Sequence, residues 1–197
     1  MSLQLFQKNA FSRALLLKLA APRARDTINH FARYLHPSES ILDIGAGIGD
    51  ITALLQGRGH PVTALDVQDF SLVPSVKPVI YDGQTMPFTD KQFDTALILT
   101  VLHHTPRPEQ VLDEAIRVAQ RVIITEDIFY TTLHKYATFF MDSLLNLEFF
   151  GHPHSNKTDA QWRALFKKKG LKLVGEKSMG SFGVLRHRMY VLETPSV

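Results

Sequence analysis

The sequence predicts an α/β protein: one doubly wound sheet of about seven strands, mostly parallel with an antiparallel last strand, joined to N-terminal helices and a helical lid insertion. Three observations predict it. Short apolar runs alternate with helix-period segments after Pro37, as expected for strands joined by crossover helices. A glycine-rich turn, Gly45-Ala-Gly47-Ile-Gly49, directly follows the first of those runs. The length, 197 residues, accommodates one substantial core and would cramp two.

In chain order, residues 8–35 read as two helices. The first carries Phe11, Leu15, Leu16 and Leu19, the second Ile28, Phe31, Ala32 and Leu35 at helical spacing, with Pro22 between them. Ile41–Ile44 is a strand, and Asp50–Leu55 opens a helix that Gly57 and Gly59 stop. Val62–Leu65, Val79–Tyr81 and Phe93–Leu99 follow as strands. Pro108–Ala119 is helical, with Val111, Leu112, Ala115 and Val118 on one face, and Arg121–Thr125 is a strand. Thr158–Lys169 is the last helix, and Leu171–Gly175 and Arg188–Leu192 are able to pair as the final two strands. No composition break divides the chain, so residues 1–197 are expected to form a single domain with a helical cap over 1–37 and a lid-like insertion over 128–157.

Composition narrows the chemistry. Apolar residues make up 45% and charged residues 21%, and no apolar run approaches the roughly 18 to 20 residues that cross a bilayer. There is no cysteine, which removes thiolate nucleophiles, thiolate metal sites and disulfide scaffolds. With no secretory-signal pattern at the N-terminus, a cytoplasmic setting is expected. The net charge of +3 is uneven: residues 1–40 sum to +4, 41–156 to −7 and 157–197 to +6. Basic ends, if they meet in space, invite an anionic substrate, a membrane surface or RNA, although solvated helix faces are the plainer explanation.

The glycine turn marks a place where a nucleotide-like ligand can approach backbone. Asp50 stands after Gly49, where the dinucleotide fingerprint would continue toward its third glycine, and an anion at a helix start repels a pyrophosphate. The Gly-x-x-x-x-Gly-Lys-Ser/Thr phosphate loop is absent as well. The expected ligand therefore lacks phosphates.

Four ordered motifs then bear a family resemblance. Asp43-Ile-Gly45-Ala-Gly47-Ile-Gly49 is followed, 17 positions after its last glycine, by Asp66. Tyr81-Asp82-Gly83 opens a passage that ends in Phe93-Asp94, and Leu99-Thr-Val-Leu-His-His104 closes the fourth strand. Over roughly residues 38–127 the sequence resembles the class I S-adenosylmethionine-dependent methyltransferases of the small-molecule type, a Rossmann-like fold. The resemblance implies S-adenosyl-L-methionine as cofactor and S-adenosyl-L-homocysteine as product. It further implies Asp43, Gly45, Ala46 and Gly47 near the amino-acid part, Asp66 and Val67 at the ribose, Asp82 and Gly83 at the adenine, and Leu99 and Thr100 beside them. Asp43 also suits the cofactor's ammonium, and Asp66 has the lone pairs to accept both ribose hydroxyls.

Methyl transfer from a sulfonium is an in-line displacement that mainly needs positioning and exclusion of water. Where the acceptor must lose a proton, His103 and His104 are candidate bases, with strand-end packing as the plainer explanation. His152 and His154 with Glu126 and Asp127 form a donor set, but Gly, Pro and Ser neighbours read as a loop, and no metal site is predicted. Glu126 and Asp127 are otherwise pocket-lining or solvated. Between residues 129 and 150, Leu133, Tyr136, Phe140, Leu144 and Leu147 share a helical face, which suits a lid over a lipophilic acceptor, extra core or a dimer face. The expected partner is thus a small-molecule acceptor, lipophilic or anionic. Alternatives are an RNA-directed methyltransferase, against which Leu-Thr-Val-Leu-His-His replaces the Asn/Asp-Pro-Pro-Tyr-like motif of base-amine enzymes, and a non-catalytic interaction module of the same fold.

Overall fold

The computed structural model describes residues 7–130, 156–181 and 185–195. Seven strands are hydrogen-bonded in the order β3-β2-β1-β4-β5-β7-β6. They are β1 (Ile41–Ile44), β2 (Val62–Asp66), β3 (Val79–Ile80), β4 (Phe93–Leu99), β5 (Ala119–Ile128), β6 (Lys172–Ser181) and β7 (Leu185–Glu193). The described α-helices of full length are α1 (Ala10–Phe31), α2 (Asp50–Gln56), α3 (Pro108–Val118) and α4 (Asp159–Lys168). The mixed α/β sheet and its antiparallel last strand agree with the fold class expected from the alternation of periods. By internal contacts the chain divides into two compact units: residues up to Leu97 with Arg117–Ala119, and Ile98–Ile116 with Gln120–Val197.

The first unit begins with α1, which corrects the expectation of two helices. Asn9 caps it, its Oδ1 accepting from the backbone N–H of Phe11 (2.9 Å) and Ser12 (3.2 Å). Pro22 lies inside the helix without ending it. A mid-helix proline costs about 3 kcal/mol through its missing N–H and ring clash, but Pro22 is exposed, so the carbonyl it leaves unbonded can face water. Burial of Ala24, Ile28 and Phe31 just beyond it holds the last turns in place.

All four residues of β1 are buried, as expected of a strand covered on both faces. It runs parallel to β2, with Ile41 opposite Val62 and Ile44 opposite Leu65, and β2 runs parallel to β3. The start of β4 is tied to the residues preceding β1: Asp94 Oδ2 accepts from Ser40 N–H (2.8 Å) and Oγ (2.7 Å), and buried Glu39 accepts from Thr95 Oγ1 (2.9 Å). These bonds join the start of β4 to the residues that lead into β1.

In the second unit, β7 is antiparallel to both β5 and β6. The fifth strand exceeds its expected range because pairing continues past Thr125, with Glu126 opposite Arg188 and Asp127 opposite His187. Two acids in succession disguise it as a loop in sequence. Helix α4 opens with a capping box between Thr158 and Gln161 and packs Trp162 and Phe166 near Tyr190, with ring centroids 5.9 Å apart for the first pair and 5.0 Å for Phe166 and Tyr190. The apolar face expected over residues 133–147, and the loop histidines His152 and His154, lie outside the described residues.

Candidate active site

At the end of β1 the chain turns back on itself through three glycines with positive φ: Gly45 (71°), Gly47 (52°) and Gly49 (79°). Their surroundings differ. A Cβ on Gly49 would stand 2.8 Å from Ser71 Oγ and 3.1 Å from Val76 Cγ1, so that glycine is required by the protein's own packing. A Cβ on Gly47 would meet nothing nearer than Gly45 O at 3.9 Å. Gly47 therefore has open space where a side chain would stand, so a ligand can approach its Cα. The N–H groups of Gly45 and Ala46 both reach Leu65 O, at 2.8 and 3.2 Å, which pins the turn to β2.

Three acids surround this turn. Asp43, buried on β1, accepts from Thr52 Oγ1 of α2 at 2.6 Å. Burial pushes its pKa up to about 6; the Thr52 bond opposes the shift, while the charges of Asp50 and Asp66 add to it. Asp66, also buried, accepts from Gly47 N–H (2.9 Å) and Val67 N–H (2.7 Å). Burial raises its pKa too, against backbone hydrogen bonds from Gly47, Val67 and Gln68. Asp50, at the first turn of α2, is raised by burial, with the N–H of Ile51 and the charge of Arg23 opposing.

Beyond β3, exposed Asp82 accepts from Gln84 N–H (2.8 Å) and Thr85 N–H (3.0 Å), and these bonds, the one from Thr85 foremost, lower its pKa. It thus builds the turn that the Asp-Gly pair signals. Gly83 has φ 76°, and a Cβ there would come 3.4 Å from Val67 Cγ1. So the ends of β2 and β3 meet at Val67 and Gly83, leaving the Val67 side chain about half exposed.

In the second unit, β4 leads into Thr100, a non-glycine residue at φ 58°. Its N–H donates to Thr125 O (2.7 Å). Val101 N–H and Leu102 N–H donate to Glu126 Oε1 at 3.0 and 2.7 Å, and His103 Nδ1 lies 2.5 Å from Glu126 Oε2. Glu126 and His103 are both fully buried. Half-buried His104 packs on His103, with ring centroids 4.0 Å apart. Glu126 is therefore neither pocket-lining nor solvated: three donors need it as the internal anchor of the turn Leu102–His104. Asp127 is likewise buried and pairs with His187. The two acids, expected to be pocket-lining or solvated, face histidines instead.

The structure thus brings Gly47, Asp66, Val67 and Gly83 together, sets Asp43 one strand away, and gathers Thr100, His103 and Glu126 in the other unit. Leu99, at the end of β4, is half-buried. Sequence reasoning missed Thr52 and the anchoring role of Glu126. Thr52 follows Asp43 by nine residues on another element, and no local pattern announces their bond.

Comparison with known proteins bears on this arrangement. Residues 42–121 match the family model described as Methyltransferase domain. Squalene methyltransferase 1 of Botryococcus braunii is 31% identical over 97 residues, 43% of this chain and 26% of that protein. Demethylmenaquinone methyltransferase of Clavibacter sepedonicus is 33% identical over 100 residues, 45% of this chain and 41% of that protein. The chain thus spans between a quarter and two-fifths of the length of these curated relatives. Among solved structures, magnesium protoporphyrin IX methyltransferase from Synechocystis PCC 6803 with bound SAH superposes with a TM-score of 0.66 at 15% identity, over 96% of each chain. That likeness is one of fold. The acid-flanked glycine turn at the end of the first strand thus lies within a segment, residues 42–121, that is similar to the methyltransferase domain family, on a fold shared with S-adenosylmethionine-dependent methyltransferases.

Proposed function

We propose that the protein transfers a methyl group from S-adenosylmethionine to a small lipophilic acceptor. The observation that carries the cofactor assignment is a glycine turn flanked by two buried carboxylates, Asp43 and Asp66, whose partners are neutral. Asp43 and Asp66 are bonded to a hydroxyl and to backbone N–H groups, and burial raises both. A cation would relieve that cost, whereas a phosphate would increase it. The ligand class that fits is a nucleoside carrying ammonium and sulfonium groups and no phosphate.

In this reading Asp43 and the turn Gly45-Ala46-Gly47 hold the amino-acid part. Asp66 and Val67 take the ribose, and Asp82 and Gly83 the adenine. The cofactor, when bound, supplies a sulfonium methyl already activated toward displacement. What remains for the protein is to orient the acceptor and exclude water. Glu126 holds the turn that carries both histidines, with buried His103 as a positioning residue. We assign half-buried His104 to proton removal where the acceptor requires it.

A lipophilic acceptor is supported by the relatives named for squalene and demethylmenaquinone methylation, and by the apolar residues at helical spacing between 129 and 150. Calorimetric titration with S-adenosyl-L-homocysteine tests the cofactor half; absence of both heat and thermal shift defeats it. Transfer of labelled methyl from S-adenosylmethionine to a panel of isoprenoid quinols, linear isoprenoids and porphyrins tests the acceptor half. Cofactor binding with no transfer to any acceptor supports the non-catalytic module instead.

A further inference from the structure

The cations of this chain are of two kinds. In the second unit, Arg163 and Arg188 pair with Asp159 and Glu176, Lys169 with Asp113, and Lys172 with Glu193. Residues 1–25, by contrast, contain Lys8, Arg13, Lys18, Arg23 and Arg25 and no acid; the first is Asp26. Four of those five cations lie on α1.

Helix α1 also has two unlike faces. At about 100° per residue, Ala24, Ile28 and Phe31 fall on one side, and all three are buried. Phe11, Leu15, Leu19 and Pro22 fall within about 80° of arc on the opposite side. Phe11 is 79% exposed, Leu15 47% and Leu19 68%. Lys18 and Arg25 lie within about 40° of one border of this stripe and Arg23 about 40° beyond the other.

We infer that this face of α1 docks on a membrane surface rich in anionic lipid. An apolar stripe bordered by cations matches the interface of such a bilayer: the Phe and Leu side chains enter the acyl boundary while Lys and Arg extend along it to the phosphates. Charge selects this occupant over the others. A second copy would bring two acid-free basic stretches face to face, and RNA would leave three large apolar side chains in water. The inference stands on α1 alone and does not depend on the methyl-transfer reading.

Co-sedimentation of the full chain with vesicles tests it, comparing phosphatidylcholine alone with phosphatidylcholine mixed with phosphatidylglycerol, without cofactor or acceptor. Partition to the mixed vesicles, weakening as salt rises, is expected. Leu15→Ser with Leu19→Ser should lower it by about tenfold or more. Lys18→Gln with Arg25→Gln, which keeps the apolar stripe, should lower it by about fivefold for each cation removed. Thermal melts and S-adenosyl-L-homocysteine titration of the same variants report their folding and leave the cofactor reading separately testable. Equal or absent partition to both vesicle types overturns the inference. So does undiminished partition of the leucine variant, a wild-type dimer in sedimentation velocity that this variant abolishes, or RNA binding that survives it.

Discussion

The carboxylates of the two units live in opposite surroundings. Asp159 and Glu176 of the second unit are pushed up by burial, but bonds and charges from Arg163 and Arg188, with Tyr190 also donating to Asp159, outweigh it and hold both below their ordinary values. Asp43 and Asp66 of the first unit accept only from neutral donors and remain raised. Nothing in the first arrangement is left for a ligand to improve. A buried acid held by neutral donors still gains from a cation. The contrast separates acids already paired with cations from acids that, in the proposed reading, a bound cation would pair, a distinction that residue type alone does not reveal.

Substitutions can break that contrast or sharpen it. The largest expected effect is at Glu126. Glu126→Ala leaves His103 Nδ1 and two backbone N–H groups without their buried acceptor and should cost about 3 to 5 kcal/mol in urea unfolding, with Glu126→Gln retaining part of it. A Glu126→Ala chain as stable as wild type would return Glu126 to a ligand-facing role.

Asp43 should behave oppositely. Burial raises its pKa above the unfolded value of 3.8, so its stabilising contribution is complete below 3.8 and is lost as pH rises through about 6. Asp43→Asn keeps the acceptor for Thr52, so it should gain stability over wild type across that window, up to about 3 kcal/mol above it. The same variant should bind S-adenosyl-L-homocysteine at least about tenfold more weakly. Thermal melts at pH 4, 6 and 8 with matched titrations measure both; a pH-independent difference in stability would discard the assignment.

The two glycines offer a smaller contrast. Gly49→Ala should lose about 2 to 3 kcal/mol of stability, from its positive φ and the contacts with Ser71 and Val76. Gly47→Ala should lose only about 1 to 2 kcal/mol, from its φ alone, while losing more cofactor affinity. Equal effects of the two on stability would remove the distinction between a packed and an open glycine. Asp82→Ala should have the least consequence, weakening cofactor affinity about fivefold.

Much of this was legible in the primary sequence. β1 and β4 occupy their expected ranges because short, mostly apolar runs bounded by turn residues have few other solutions. The positive φ of Gly45, Gly47 and Gly49 follows from three glycines in five positions, and the capping bonds of Asp82 follow from Asp-Gly. Local signals failed where tertiary burial overruled them. Pro22 argued for a break in α1, yet it sits on the exposed side and the buried residues that follow carry the helix through. Glu126 and Asp127 looked like the end of β5 because two acids in a strand suit burial only when distant histidines stand opposite.

The sequence by itself determined the layered α/β plan, the turn after β1 and the kinds of group gathered around it, because those depend on periodicity, backbone freedom and residue type within a few positions. Only the tertiary structure decided which glycine is open and which acid is held by a neutral donor. It alone decided which histidine is buried and which face of α1 meets solvent. Each of these depends on contacts between residues far apart in the chain, and a local pattern carries no record of them.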